Sequence, residues 1–315
     1  MKTNGLTLLI IVAFSIILNA EEDQSLPKVK HMIDTHIHLY NTSREGGVPW
    51  PPKDDKVLHK PHLPKEFQTV SKPSGLTGAI IVEASHLFKD NKWALNLVEG
   101  NDYFVGLVGN VNPYRKDFNS QIMRLKKDSR FVGVRARNGG KQKEINFNDP
   151  NIIKNFRFLA ENGLSLDILT NGGGVDAVKK IDKLAQKIPN LHIIANHVIG
   201  YDFDGKAVNS EWTKAVESLA KNKNVWCKIS GLYQRSVEQP APKDINHYKE
   251  TLNILWNNLG EDRLIYGSNW PCTKHSGNYK SYVTLVNQYF STKSQEACEK
   301  YFWKNASHAY RLDLK

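Results

Sequence analysis

Eight short apolar runs, separated for the most part by segments with helical spacing, constrain the fold of this chain most. Runs that are apolar nearly throughout are typical of parallel strands covered by helices. Eight of them in alternation with helices favour a closed (β/α)8 barrel, an α/β fold, over an open doubly wound sheet. The runs lie at 32–39, 78–84, 104–111, 132–136, 164–169, 191–198, 225–230 and 264–269.

The segments between the runs have the apolar periodicity of amphipathic helices. In "NIIKNFRFLAENG", Ile152, Phe156 and Leu159 fall on one face. Pro150 marks the start of this helix and Gly163 marks its end. We therefore predict a single barrel domain over residues 32–315.

Residues 41–76 break the alternation, because this stretch is rich in proline and glycine and follows the first strand directly. Loops that follow barrel strands form the catalytic face. Loops longer than about 12–15 residues are usually functional lids or disordered. We expect a long loop here, at the catalytic face, that carries Trp50.

The first twenty residues have the layout of a secretory signal peptide. Lys2 precedes the apolar run "LTLLIIVAFSIIL" (6–18), and Ala20 provides a small residue at a cleavage point before "EEDQ". The run is shorter than the roughly 20 residues of a membrane-spanning helix, and an uncleaved anchor is the alternative. The expectation is a secreted or periplasmic protein, with a linker over 21–31 and no membrane span after cleavage.

The chain is basic, with 43 Lys and Arg against 32 Asp and Glu and a formal net charge of +11. The basic residues are scattered, and no nucleic-acid recognition motif accompanies them, so solvated helix faces explain the charge better than a nucleic-acid surface. The excess charge steers anionic small molecules toward the protein at long range. We expect a small-molecule substrate and no nucleic-acid partner, and the oligomeric state stays open.

The stretch "MIDTHIHLY" (32–40) carries the first chemical signal. His36 and His38 lie at the end of the first predicted strand, where alternate residues share a face, here the barrel interior. Two imidazoles at one strand end can converge on one metal ion. The alternative is a structural histidine pair at the rim of the barrel.

Five motifs occur in an order that resembles the amidohydrolase-related proteins (amidohydrolase family 2). The resemblance is strongest to the branch of sugar lactonases, which is fuconolactonase-like. It implies a metal-dependent-hydrolase barrel in which water attacks a carbonyl at the C-terminal mouth. The motifs are "DTHIHLY" (34–40), "GVR" (133–135), "NHVIG" (196–200), "CKISGLY" (227–233) and "YGSNWPC" (266–272).

The resemblance also implies roles for individual residues. His36, His38 and His197 match its histidines and would hold a divalent metal, with zinc as one candidate and a metal-free site as the alternative. Arg135 matches an arginine that holds the carbonyl or carboxylate of the substrate, and the alternative is an ion pair with a rim carboxylate. Glu83, at the end of the second strand, is a ligand, an acid/base group, or a partner of Arg135 or of a histidine.

Two positions depart from the family pattern. The fifth strand offers Asp167 and no histidine, and Asn269 stands where an aspartate activates the water. Because an amide cannot take a proton near neutral pH, two routes stay open. A metal-bound water with a pKa near 7 reacts while Asn269 orients it, or His197 is the general base without a metal. Glu83 and Asp202 are reserve candidates for the base.

Three functions follow from this set of residues. The first is an exported hydrolase that opens a sugar-type lactone, or a related acid derivative, at the barrel mouth. The second is a metal-dependent carboxy-lyase on the same barrel. The third is a non-catalytic barrel that binds a carbohydrate or an acid, since Asn269 replaces the usual acid. Trp50 and Trp270 either stack on a sugar ring or are packing residues.

Overall fold

The computed structural model describes residues 29–135, 145–170 and 173–314. In this part of the chain, eight parallel strands pair in the order β1 to β8. Each strand overlaps one of the predicted apolar runs, and the predicted (β/α)8 barrel is confirmed. The strands are Ile33–Ile37 (β1), Gly78–Val82 (β2), Phe104–Gly109 (β3), Phe131–Arg135 (β4), Ser165–Ile168 (β5), Ile193–Ala195 (β6), Val225–Ile229 (β7) and Leu264–Tyr266 (β8).

Helices connect the strands and surround the sheet, and their apolar faces form a continuous core with its outer face. Short 3₁₀ turns follow β6 and β8, at His197–Gly200 and Cys272–His275. The helices are Pro64–Ser71 (α1), Lys89–Leu97 (α2), Phe118–Leu125 (α3), Pro150–Glu161 (α4), Gly174–Lys187 (α5), Ser210–Leu219 (α6), Leu232–Arg235 (α7), Asn246–Leu259 (α8), Tyr279–Phe290 (α9), Gln295–Glu299 (α10) and Asn305–Tyr310 (α11).

A second apolar cluster fills the barrel interior near the start of the strands. It joins Ile33, Trp226 and Ile265 to the C-terminal helix α11. The Ser165 hydroxyl donates to the carbonyl of Ala309 over 2.7 Å, which fixes α11 across this end of the barrel. The opposite end, where the strands finish, therefore contains the mouth.

Closure of the barrel joins β1 to the residues that follow β8. The backbone N–H of His38 donates to the carbonyl of Trp270 at 2.8 Å, and that of Asn269 donates to the carbonyl of His36 at 2.9 Å. The buried carboxylate of Asp34 accepts from the N–H of Ser268 at 2.9 Å. It also accepts from the hydroxyl of Tyr279 at 2.8 Å. One side chain thus links β1, the residues after β8, and α9.

The long segment after β1 is shorter as a loop than the predicted 41–76. Helix α1 begins at Pro64, a residue suited to the first helical turn. Phe67 holds this helix in place because its side chain is fully buried in the core. The loop itself is fixed on two sides, where Arg44 donates to Asp90 at 2.6 Å and Asp55 pairs with His275 at 3.1 Å.

The predicted signal peptide lies outside the described residues. Among the residues that are described, no helix has both the length and the apolar character needed to cross a membrane.

Replacing Asp34 by alanine should strongly destabilise the barrel. The change leaves buried donors of Ser268, His36 and Tyr279 without an acceptor, and each unsatisfied group costs about 1–3 kcal/mol. We expect urea unfolding to show a loss of about 3–5 kcal/mol. Tyr279→Phe is the control, because it removes one donor and should cost about 1 kcal/mol. Equal small losses in both variants would contradict the role given to Asp34 in closure.

Candidate active site

The ends of β1 and β6 bring three predicted histidines together at the barrel mouth. The ring centroid of His36 lies 5.0 Å from that of His38 and 4.5 Å from that of His197. All three side chains are buried. Burial, reinforced by the positive charge of Lys228, lowers the pKa of His36 well below its usual value. Burial, followed by the charge of Arg135, does the same to the pKa of His197. Both rings are therefore neutral at pH 7.

The three imidazoles differ in their hydrogen bonds. Nδ1 of His38 lies 2.9 Å from the carbonyl of Val82. A carbonyl only accepts, so Nδ1 of His38 carries a hydrogen. Nδ1 of His197 lies 2.9 Å from the hydroxyl of Ser230, which can donate or accept. Within the described residues, both ring nitrogens of His36 lack a hydrogen-bond partner.

A left-handed turn positions His197. Four consecutive residues have positive φ, with 51° at His197, 49° at Val198, 57° at Ile199 and 72° at Gly200. Non-glycine residues rarely adopt this conformation, and β-branched residues least of all. Such backbone strain persists where the surrounding structure holds it, and it clusters at active sites. The turn directs the imidazole of His197 to Ser230 instead of letting the chain continue as a strand.

Asn269 also has a positive φ, of 60°, and forms an amide pair at the mouth. Its Nδ2 donates to Oε1 of Gln234 at 3.2 Å. Nε2 of Gln234 is buried and has no partner in the part of the chain that the structure describes. Sequence reasoning missed Gln234, although it follows the motif "CKISGLY" by one residue. The pair offers both donor and acceptor atoms to a ligand hydroxyl.

Arg135 and Glu83 form a buried ion pair next to the histidines. Nε of Arg135 donates to Oε1 of Glu83 at 2.6 Å, and Nη2 donates to the carbonyl of the same residue at 2.6 Å. Arg135 and Glu83 are therefore ion-pair partners of each other, which was the alternative given for each of them. The predicted contact of Arg135 with the substrate remains a prediction.

Lys228 and Asp167 form a second ion pair, deeper in the barrel and completely buried. Nζ of Lys228 donates to Oδ2 of Asp167 at 2.6 Å and to the carbonyl of Thr35 at 2.8 Å. The hydroxyl of Tyr310 donates to Oδ1 of Asp167 at 2.8 Å. Burial lowers the pKa of Lys228, and the carboxylate of Asp167 opposes this shift. Lys228 is not among the predicted site residues, although it is the charged residue within the run 225–230.

The two predicted aromatic residues lie in different environments. The half-buried ring of Trp50 makes an edge contact with His38, with centroids 5.5 Å apart, so the long loop reaches the histidines. The ring of Trp270 is 1% exposed and packs against His62 and Phe67. Trp270 thus occupies the packing position that was the alternative to sugar stacking. Asp202 pairs with Arg235 and is not among the groups at the histidines.

A family model described as "Amidohydrolase" matches residues 33–312, nearly all of the described chain. The chain belongs to the amidohydrolase family. An L-fucono-1,5-lactonase of Burkholderia ambifaria is 24% identical over 285 residues, which cover 89% of this amidohydrolase and 96% of the relative. An L-rhamnono-gamma-lactonase of Scheffersomyces stipitis is 26% identical over 187 residues, covering 53% of this amidohydrolase and 55% of the relative.

Solved structures confirm the fold of this amidohydrolase. A Burkholderia multivorans amidohydrolase, solved with bound zinc, superposes with a TM-score of 0.79 at 19% identity. The match covers 90% of this chain and all of that one. At 19% identity this likeness shows the fold alone. The chemistry of this chain has to be argued from the residues of its own site.

The residues of this amidohydrolase fit a divalent metal poorly. The unpartnered nitrogens of His36 favour a ligand role. Among the described residues, however, no three His, Cys, Asp or Glu side chains converge in an arrangement able to hold one ion. The nearby carboxylates of Asp167 and Glu83 are already neutralised by Lys228 and Arg135. A divalent cation would therefore add its charge beside two ion pairs whose carboxylates already have cationic partners.

Gly231→Ala should test how tightly the turn holds His197. Gly231 has φ of +65°, and a Cβ there would lie 2.7 Å from Nδ1 of His197. Gly100→Ala is the matched control, because Gly100 has φ of +70° and open space around it. Both variants should lose about 1–2 kcal/mol for the left-handed conformation.

The overlap with His197 should cost Gly231→Ala about 1–3 kcal/mol more than the control. The free energy of unfolding in urea measures the difference between the two variants. Equal losses would show that the imidazole of His197 has room to move away from Ser230.

Proposed function

We propose that this amidohydrolase opens a lactone of a sugar-type substrate by attack of water at the barrel mouth. The observation that carries the proposal is the buried, neutral His197, which Ser230 orients beside His36. The lone pair of a neutral imidazole can accept a proton, and the lowered pKa of His197 makes its imidazolium a ready donor in the step that follows. The names of the relatives, L-fucono-1,5-lactonase and L-rhamnono-gamma-lactonase, support a lactone as the substrate class.

The proposed reaction proceeds in two proton transfers. Water adds to the lactone carbonyl while His197 takes one of its protons, and a tetrahedral oxyanion forms. The ring C–O bond then breaks, the carbonyl reforms, and the imidazolium of His197 returns the proton to the departing alkoxide. The product is the open hydroxy acid. Asn269 and Gln234 orient the water or a sugar hydroxyl, since their amides offer donors and acceptors but no base.

The charge of the site favours a neutral substrate such as a lactone over a carboxylic acid. Arg135 donates two hydrogen bonds to Glu83, and the ion pair carries no net charge. A carboxy-lyase needs a cation that grips the carboxylate of its substrate, and here that cation is already paired. The structure therefore gives the carboxy-lyase alternative less support than the lactonase.

A binding function without turnover is the second candidate, and Asn269 is the observation that favours it. The amide replaces the acid that the family pattern leads one to expect, and it pairs with a second amide, Gln234. Two adjacent amides suit recognition of sugar hydroxyls. This candidate predicts binding of a lactone or sugar acid without hydrolysis.

Lactone turnover should separate these functions. Purified protein incubated with a panel of sugar 1,4- and 1,5-lactones should release acid, followed with a pH indicator. His197→Gln should lower kcat by about 10²- to 10⁴-fold because the general base is lost. His308→Gln, on an exposed histidine at the opposite end of the barrel, is the control and should retain full activity.

Each alternative predicts a different result in the same assay. Ligand binding with no acid release would replace the lactonase by the binding barrel. Release of carbon dioxide from a sugar-type or aromatic acid would point to the carboxy-lyase. Full activity in His197→Gln would remove His197 from the mechanism.

We also propose that the protein is exported and cleaved after Ala20, on the strength of the charged start and the apolar run 6–18. N-terminal sequencing of protein secreted by the native host, or recovered from its periplasm, should begin at Glu21. A chain that retains Met1 and sediments with membranes would contradict cleavage and favour the uncleaved anchor.

A further inference from the structure

Lys228 presents a buried positive charge that the proposed reaction does not use. Its side chain is fully enclosed in the barrel, between β1 and β5. Nζ bridges the carbonyl of Thr35 on β1, at 2.8 Å, and the carboxylate of Asp167 on β5, at 2.6 Å. A lysine buried to this degree is rare unless it is paired, and this one is paired with Asp167.

The ammonium lies directly beneath the histidines. Thr35, whose carbonyl it contacts, immediately precedes His36 in β1. Ser230 lies two residues beyond Lys228 and bonds to Nδ1 of His197. Opposite them, a Cβ on Gly267 would lie 2.9 Å from Cβ of His36 and 3.2 Å from Cβ of Ser230, so these side chains form one tightly packed layer.

The carboxylates close to this layer are already engaged. Asp167 accepts from Lys228, Tyr310 and Asn196. Glu83 is bonded to Arg135. The oxygens of Asp34 accept from Ser268, His36 and Tyr279. A divalent ion at the histidines would add two positive charges to a buried site without an uncommitted anion to balance them.

We propose that Lys228 is the resident cation of this site, and that its ammonium excludes a divalent metal from His36, His38 and His197. The fixed charge that a metal supplies in other members of such a fold is then part of the chain. If the proposed lactonase reaction occurs here, this charge stabilises the negative oxygen of the tetrahedral intermediate electrostatically. The exclusion itself does not depend on that reaction.

Zinc uptake tests the exclusion without measuring turnover. Purified protein is incubated with excess zinc, passed over a gel-filtration column and assayed by elemental mass spectrometry. The unmodified protein should retain less than roughly a tenth of an equivalent. Lys228→Met should retain about one equivalent, because the ammonium is gone and the carboxylate of Asp167 becomes available as a ligand.

Three further variants make the result specific. Adding His36→Gln to Lys228→Met should abolish the uptake. Lys214→Met, which removes an exposed lysine from α6, should retain no more zinc than the unmodified protein. Lys228→Met/Asp167→Asn removes both buried charges together. It replaces the single variant if that one shows no cooperative melting transition, and it should also take up zinc, with lower affinity.

Two outcomes would overturn the proposal. One is an unmodified protein that retains about one equivalent of zinc and loses it with His36→Gln. The other is a folded Lys228 variant that retains no zinc. If neither Lys228 variant folds, zinc retention by the unmodified protein decides alone, since retention refutes the exclusion and its absence supports it. The zinc results do not depend on lactone turnover, so either proposal can be refuted while the other stands.

Discussion

Closure between β1 and the residues after β8 is the constraint on which the geometry of the mouth depends. The backbone bonds of His38 and Asn269 across this seam place the histidine-bearing end of β1 next to the turn that carries Asn269. The buried carboxylate of Asp34 stabilises this seam by accepting hydrogen bonds from Ser268 and Tyr279. These bonds fix the histidines of β1 relative to Asn269 and its partner Gln234.

Much of the fold could be predicted because its signals are local. Each apolar run overlaps a strand, since burial on both faces of a parallel sheet leaves a continuous pattern in the sequence. The pairing of His36 with His38 followed from alternate residues sharing a face at the end of β1, and the place of His197 beside them followed from the resemblance to the amidohydrolase-related proteins. The proline-rich composition of 41–76 favours a loop throughout, whereas Pro64 starts helix α1 within it.

The parts that could not be predicted depend on contacts between distant residues. Nothing local to Glu83 or Arg135 distinguishes a ligand from an ion-pair partner, and only the folded structure shows the 2.6 Å contact between them. Trp270 follows Asn269 directly, yet its ring turns into the core against Phe67. Lys228 was visible as a charged residue in a buried run, but its partners on β1 and β5 were not.

The C-terminal helix has a consequence for the order of events during synthesis. The hydroxyl of Tyr310 bonds to Asp167, which is paired with Lys228 beneath the histidines. Tyr310 leaves the ribosome only after all eight strands have been made. A nascent chain can therefore pair its strands while the hydrogen bonding beneath its active site is still incomplete. The hydrogen-bond network of Asp167 and Lys228 becomes complete only when α11 docks, so the docking of this helix, and not strand pairing alone, finishes the layer beneath the histidines.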